Sequence, residues 1–288
     1  MFRFYRNRVF RREVLLMMFP TQWWIILLVA LVLNSVGFKK YVWFMTVGYG
    51  LTVGGISLCL IVMSITQKAF SGWYLVLCLL LMLYGFRLVC VLLLREKRNT
   101  PENRKVLGNM EKQVSLAGLT TMWILDSLTF FAMMSPVFYR LANGKTRDMS
   151  AGLVVGVLLI AGGIAIEVVA EVQKYLSKKD NPGLPVTTGL YKYSRCPDYF
   201  GEIVVWTGVF ITGIKTNAGA QWLMVLFGYA AVMYFMTNGA RRIEIQQIKY
   251  FGKNAEYMEY MNKTPVLIPF IPVYHLVKSE RIKKTEGV

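Results

Sequence analysis

An all-α integral membrane protein with about seven transmembrane helices and a cytoplasmic amphipathic C-terminal helix is the fold the sequence predicts, on three observations. Of 288 residues, 55% are hydrophobic and 17% are charged, against about 25% charged in soluble domains. Mean hydropathy is +0.44. Seven apolar windows, near 21–38, 42–65, 73–94, 115–138, 150–172, 200–214 and 219–238, approach the about 20 residues that a bilayer-crossing helix needs. Their cores hold almost no proline, as helices prefer. No short apolar run ends in a small-residue cleavage site, so no cleaved signal peptide is expected.

In residues 1–18, Arg3, Arg6, Arg8, Arg11 and Arg12 are interleaved with Phe2, Phe4, Tyr5 and Phe10. This basic, aromatic segment reads as an interfacial helix on anionic lipid. Residues 19–288 read as one polytopic membrane domain without an internal repeat. The first and sixth windows are the shortest.

Span three carries Tyr84 and Arg87 inside Leu-Met-Leu-Tyr-Gly-Phe-Arg-Leu-Val-Cys-Val, with Arg95 and Arg98 beyond it. A guanidinium among apolar residues is costly without a carboxylate or phosphate partner. Asp126 in span four is either a proton donor or a packing acid paired with Arg87. In span five, Glu167, Glu171, Lys174 and Lys178 fall on one helical face. The two lysines suit a snorkelling helix end, with Glu171 beside Lys174. Glu167 is followed by Val168, Val169 and Ala170, so it lies within the apolar run and reads as functional.

Residues 176–198 form a loop long enough to fold over a site at the membrane face. It leads into Gly189-Leu190-Tyr191-Lys192-Tyr193-Ser194-Arg195-Cys196-Pro197-Asp198-Tyr199-Phe200-Gly201-Glu202, which sets charges at the mouth of an apolar helix. A proline-headed helix start aims free backbone N–H groups outward, which suits an anion. After span seven, residues 241–260 read as an amphipathic cytoplasmic helix that breaks at Gly252. Arg242, Gln246 and Tyr250 step by four along it. Pro265, Pro269 and Pro272 then punctuate an extended tail.

The net charge of +17 is distributed among the loops. It reads as the positive-inside rule and contact with anionic lipid, not as a nucleic-acid surface. Lys/Arg counts favour the side carrying the 95–113 and 173–199 loops and the tail, so the C-terminus is expected in the cytoplasm. With an odd number of spans the basic N-terminus either lies flat on the opposite face, or the first segment does not cross.

Cys59, Cys78, Cys90 and Cys196 form no Cys-x-x-Cys pair, so neither disulfides nor a zinc cluster is expected. With His275 the single histidine, a multi-histidine di-iron site and a Ser-His-Asp triad are both excluded. No metal site is expected. Gly54-Gly55 and Gly162-Gly163 read as helix-packing glycines. In the absence of a strand–Gly-x-Gly-x-x-Gly–helix turn, any dinucleotide must be held by charged side chains and helix ends.

The 189–202 stretch resembles the signature Gly-Leu-x-x-Tyr-Ser-Arg-His-Pro-Asn-Tyr-Phe-Gly-Glu of the steroid 5-alpha-reductase superfamily, nearest its poorly characterised membrane branch. The likeness runs from about residue 84 to 272. It includes the tail, where Tyr257-Met258-Glu259-Tyr260 precedes Ile268-Pro269-Phe270. The resemblance implies a role for each matched residue. Tyr84 would orient a substrate carbonyl, and Arg87 and Arg98 would hold NADPH phosphates. Glu167 and Glu171, with Lys178 seven further on, would hold the cofactor. Asp198, Tyr199 and Glu202 would contact it from the signature, with Arg195 beside them. Arg242, Gln246 and Tyr250 would contact it after the last span. Four departures stand out. Cys196 replaces the signature histidine, Asp198 the usual asparagine and Gln246 a histidine, while Tyr41-Val42-Trp43-Phe44-Met45-Thr46 offers no acid for the family's span-two glutamate.

The expected function is therefore NADPH-dependent reduction of an enone or alkene in a lipid-soluble substrate such as a sterol, polyprenoid or acyl lipid. Tyr84 would be the catalytic hydroxyl, with Asp126 assisting. Two alternatives stand beside it. One is an S-adenosylmethionine-dependent methyltransferase resembling the isoprenylcysteine carboxyl methyltransferases, although Gln246-Gln247 stands where those usually show Glu-Glu. The other is a non-catalytic lipid-binding relative. The expected location is the endoplasmic reticulum or a bacterial inner membrane.

Overall fold

The computed structural model describes residues 20, 22–97, 114–181 and 183–277. The basic segment 1–18 and Arg98 lie outside the described residues. Among those described, regular structure is entirely helical. Helix α1 spans Gln22–Asn34 and continues as a 3-10 turn, Ser35–Phe38. A second short turn, Tyr41–Trp43, precedes α2, Val47–Thr66. Then come α3, Gly72–Lys97, α4, Leu116–Ala142, and α5, Ala151–Asp180. A 3-10 turn at Gly189–Lys192 leads to α6, Pro197–Thr212. Helix α7, Gln221–Phe251, and α8, Ala255–Lys263, complete the order.

Each of the seven apolar windows is helical, and the chain is a multi-pass membrane protein. Among the described residues, five helices are long and apolar enough to cross a bilayer: Tyr41–Thr66, Gly72–Lys97, Leu116–Ala142, Ala151–Asp180 and Gln221–Phe251. The other two are shorter, at 13 residues for α1 and 16 for α6. At 1.5 Å per residue they rise about 20 and 24 Å, less than the about 30 Å hydrocarbon core. The end of the chain departs from expectation in one respect. The last span and the amphipathic segment form a single helix, α7, because no proline separates them. The break does fall at Gly252, where a Cβ would approach the Ile248 carbonyl oxygen to 2.5 Å. Asn254 restarts the chain as α8 by accepting from the Tyr257 N–H at 3.1 Å, a side-chain N-cap.

Two compact units are distinguished: Met1–Val157 with Val209–Tyr229, and Leu158–Gly208 with Ala230–Val288. In the first, α2 and α3 cross with backbones in contact. A Cβ on Gly85 would lie 2.5 Å from the Gly50 carbonyl oxygen and 2.9 Å from the Gly54 Cα. Small residues permit such approaches between membrane helices. Asn34 at the end of α1 donates to Ser127 Oγ in α4 at 3.2 Å, and Trp123 Nε1 donates to the Leu31 carbonyl at 2.8 Å. The loop after α4 is held by side chains satisfying backbone carbonyls. Buried Arg140 donates to Thr212 and Asp148, and Asn143 donates to Thr216. Arg140 is thus a helix-end cap in the interior, although the charge count treats it as a loop cation.

In the second unit α5 and α6 cross in the same manner. A Cβ on Gly163 would lie 2.6 Å from the Gly201 carbonyl oxygen, and one on Gly201 2.7 Å from Glu167 Cγ. Gly163 is therefore the packing glycine, whereas a Cβ on Gly162 would meet open space. A small core of Cys196, Ala240 and Val266 joins the signature loop to α7 and the tail.

Candidate functional site

The proximity of Gly50 and Gly85 explains the first constellation. Each glycine directly follows a tyrosine, so the backbone contact brings the Tyr49 and Tyr84 hydroxyls to 3.0 Å. Both rings are buried. In such a pair one hydroxyl donates and the other accepts. Arg87, one turn beyond Tyr84, places its guanidinium carbon 5.8 Å from the Tyr84 ring centroid, a cation–π arrangement. The Tyr49 ring packs on Phe130 of α4 at 5.1 Å between centroids. Asp126 lies one turn before Phe130 and is buried, with Oδ2 lacking a hydrogen-bond partner. The structure thus places Tyr84, Arg87 and Asp126 in one unit and adds Tyr49. The signal for Tyr49 is Gly48-Tyr49-Gly50, a tyrosine between glycines in an apolar span.

The second constellation is charged and lies in the second unit. Arg195 donates to Glu244 Oε1 at 3.0 Å, with both side chains 1% exposed. Arg195 also donates to the Tyr274 carbonyl. Glu244 Oε2 accepts from the Leu276 N–H at 2.8 Å, and His275 Nδ1 lies 3.0 Å from Oε1. Backbone bonds run alongside: Arg195 N–H to Pro265 at 2.9 Å, and Cys196 N–H to Val266 at 3.0 Å. The Ser194 hydroxyl donates to Leu267 at 2.8 Å. Arg195 therefore straps the signature loop to α7 and the tail, and its charge is answered inside the protein. That use differs from the phosphate-holding role the resemblance implies. Glu244 is the residue the sequence reading missed. Its signal is the Ala240, Glu244, Ile248 stripe, all buried, which puts an acid on the apolar face of a helix whose opposite face carries Arg242, Gln246 and Tyr250.

The remaining residues expected to hold a cofactor lie on α5, α6 and α7. Arg242, Gln246 and Tyr250 all lie on the exposed face of α7, with Tyr250 74% exposed. Lys174 Nζ stands 3.7 Å from Asp198 Oδ2, so the acid that replaces the signature asparagine is paired. Asp198 Oδ1 accepts from the Tyr199 N–H at 3.2 Å. The Tyr199 ring closes on α7 at Gly239, where a Cβ would meet it at 3.0 Å. Lys178 donates to the Leu184 carbonyl at 2.6 Å and lies 5.8 Å from the Phe251 ring centroid. Glu167 is buried at the α5–α6 crossing, while Glu171 and Glu202 are half-buried. Arginine, lysine and tyrosine at an open face suit phosphates and an aromatic base. Arg195, by contrast, is bonded to Glu244 and the Tyr274 carbonyl.

The signature's first glycine has a backbone role. Gly189 has a φ of +66°, and its missing side chain leaves room for Gln173, whose Oε1 accepts from the Leu190 N–H at 2.8 Å. Left-handed backbone is nearly free for glycine. Cys196 is closed to chemistry: burial, reinforced by the Asp198 carboxylate, pushes its thiol up to about 12. Tyr257 and Tyr260 are also held above the ordinary phenol range, chiefly by burial. The Tyr260 hydroxyl donates to the Tyr191 carbonyl.

A family model described as "protein of unknown function (DUF1295)" matches residues 38–264. No curated protein and no solved structure matches the chain. The match covers most of the chain, including the tyrosine pair and Arg195 with Glu244 but not the tail residues that bond to them, and the chain belongs to this family.

Proposed function

We propose, with that family membership as premise, that the protein is a membrane-embedded reductase of the steroid 5-alpha-reductase kind, acting with NADPH on an enone or alkene in a lipid-soluble molecule. The observation that carries the reading is the buried Tyr49–Tyr84 hydroxyl pair under Arg87. NADPH, when bound, supplies the hydride. Tyr84 donates a hydrogen bond to the carbonyl oxygen of the substrate, where negative charge develops as the β-carbon is reduced. Tyr49, paired to Tyr84, fixes the direction of that bond. Asp126 holds a proton for the α-carbon. Arg87 in the first unit, and Lys178 and Arg242 in the second, are the cations offered to phosphate, and Tyr250 offers a ring face. Arg195 acts indirectly, by holding the signature loop.

The Lys/Arg bias supports a cytoplasmic C-terminus, and all seven helices α1–α7 sit in the bilayer of the endoplasmic reticulum or a bacterial inner membrane. The test is cofactor content. Protein extracted in mild detergent and then denatured should release NADP(H), identified by mass spectrometry. Release of S-adenosylmethionine instead would favour methyl transfer. Release of neither, together with no calorimetric binding of either, would favour the non-catalytic lipid binder.

A further inference from the structure

The tail from Thr264 to Tyr274 contains no charged residue. It closes on itself through the Val266 N–H donating to the Val273 carbonyl at 2.9 Å. At its tip Phe270 has a φ of +67° and is 86% exposed. A non-glycine residue in left-handed backbone is strained, and such strain gathers at sites that bind. Ile268, Ile271 and Val273 are also exposed. A loop facing only water would carry polar residues here.

The base of this loop fixes its level. Ser194, Arg195 and Cys196 hold Pro265, Val266 and Leu267 by the bonds described above. The signature loop is in turn bonded to α5 at Gln173 and Ala170. On α5 that is where the exposed apolar stripe Val168, Val169, Val172 and Leu176 reaches its end. The Tyr193 ring, half exposed, lies 6.2 Å from the Phe270 ring. Lys192 precedes Tyr193 and is exposed, and Lys263, exposed and paired with Glu259, lies just before the loop. Aromatic side chains with a basic rim are the composition of a membrane interface.

We propose that the Val266–Val273 loop is an interfacial anchor. Phe270, Ile268 and Ile271 would insert at the boundary between headgroups and acyl chains of anionic lipid, continuing the lipid-facing stripe of α5. The occupant is lipid because the tip packs on Tyr193, whose loop is bonded to α5 where that stripe ends, and because exposed lysines flank both loops. The experiment uses the full chain in bilayers of phosphatidylcholine and phosphatidylglycerol doped with a diazirine-bearing acyl lipid. After photolysis, mass spectrometry should find lipid adducts on Leu267–Val273 as well as on Val168–Leu176. Phe270→Asn, which tolerates left-handed backbone, should lose the loop adducts and keep those on α5. Adducts on α5 with none on the wild-type loop would overturn the proposal. So would cross-linking of the loop to a second protein chain, or loop adducts that persist undiminished in Phe270→Asn.

Discussion

In the first unit Gly50 and Gly85 bring two tyrosine hydroxyls to 3.0 Å. In the second, Gly163 and Gly201 bring two helices equally close, but the side chain at the crossing is the Glu167 carboxylate. The packing device is the same and the chemistry is not. At its glycine crossing the first unit pairs two hydroxyls, and its buried Arg140 is answered by the Thr212 and Asp148 carbonyls. The second unit buries an ion pair, Arg195–Glu244, and does so where loop carbonyls and N–H groups supply further partners. A buried charge survives where the chain end can satisfy it.

The largest effect should come from breaking the strap. Glu244→Ala leaves Arg195 and His275 facing a void and should lower stability by about 3–5 kcal/mol, read as a drop in thermal midpoint in detergent. Pairing Arg195→Met with Glu244→Leu should recover most of it. A single mutant as stable as wild type would remove the charged strap from the account. Next is Arg87→Lys, which keeps the charge but loses the guanidinium fork. Losing one buried charge-assisted contact costs about 2–5 kcal/mol of affinity, so NADPH should bind at least about tenfold more weakly to a protein that remains folded. An unchanged affinity would take Arg87 out of the cofactor site.

A smaller effect sharpens the glycine comparison. Gly85→Ala puts a Cβ against the Gly50 carbonyl and should cost about 1–3 kcal/mol from overpacking. Gly162→Ala meets nothing within 4 Å and should be neutral or stabilising by up to about 1 kcal/mol, since alanine is the better helix former. Equal losses at the two positions would mean that crowding is not what selects glycine. The smallest effect concerns Cys196. With its thiol up to about 12, the reactive thiolate is scarce at pH 8.5, whereas an unfolded cysteine is about half ionised there. Maleimide at that pH should label Cys196 only after denaturation, as peptide mapping would show.

The helices were legible because each needs only a local apolar run, and the break at Gly252 because glycine there has a local reason. The shortness of α1 and α6 was legible as well, in the two shortest windows. One result was not legible. The fate of Arg195 depends on Glu244, 49 positions away, and no local pattern links them. Arg242, Gln246 and Tyr250 were readable as one face, but their spacing could not say that the face is open. The tyrosine pair was half visible: Tyr84 through the resemblance, Tyr49 only once the glycine crossing placed it.

The central claim is that a charged cofactor is gripped mainly through its phosphates. Calorimetric titration of the purified wild-type protein with NADPH and with S-adenosylmethionine, each at low and high salt, tests it most directly. The account predicts tighter binding of NADPH, weakening as salt screens the arginine and lysine contacts. Tighter binding of S-adenosylmethionine, with NADPH affinity absent or indifferent to salt, would contradict it.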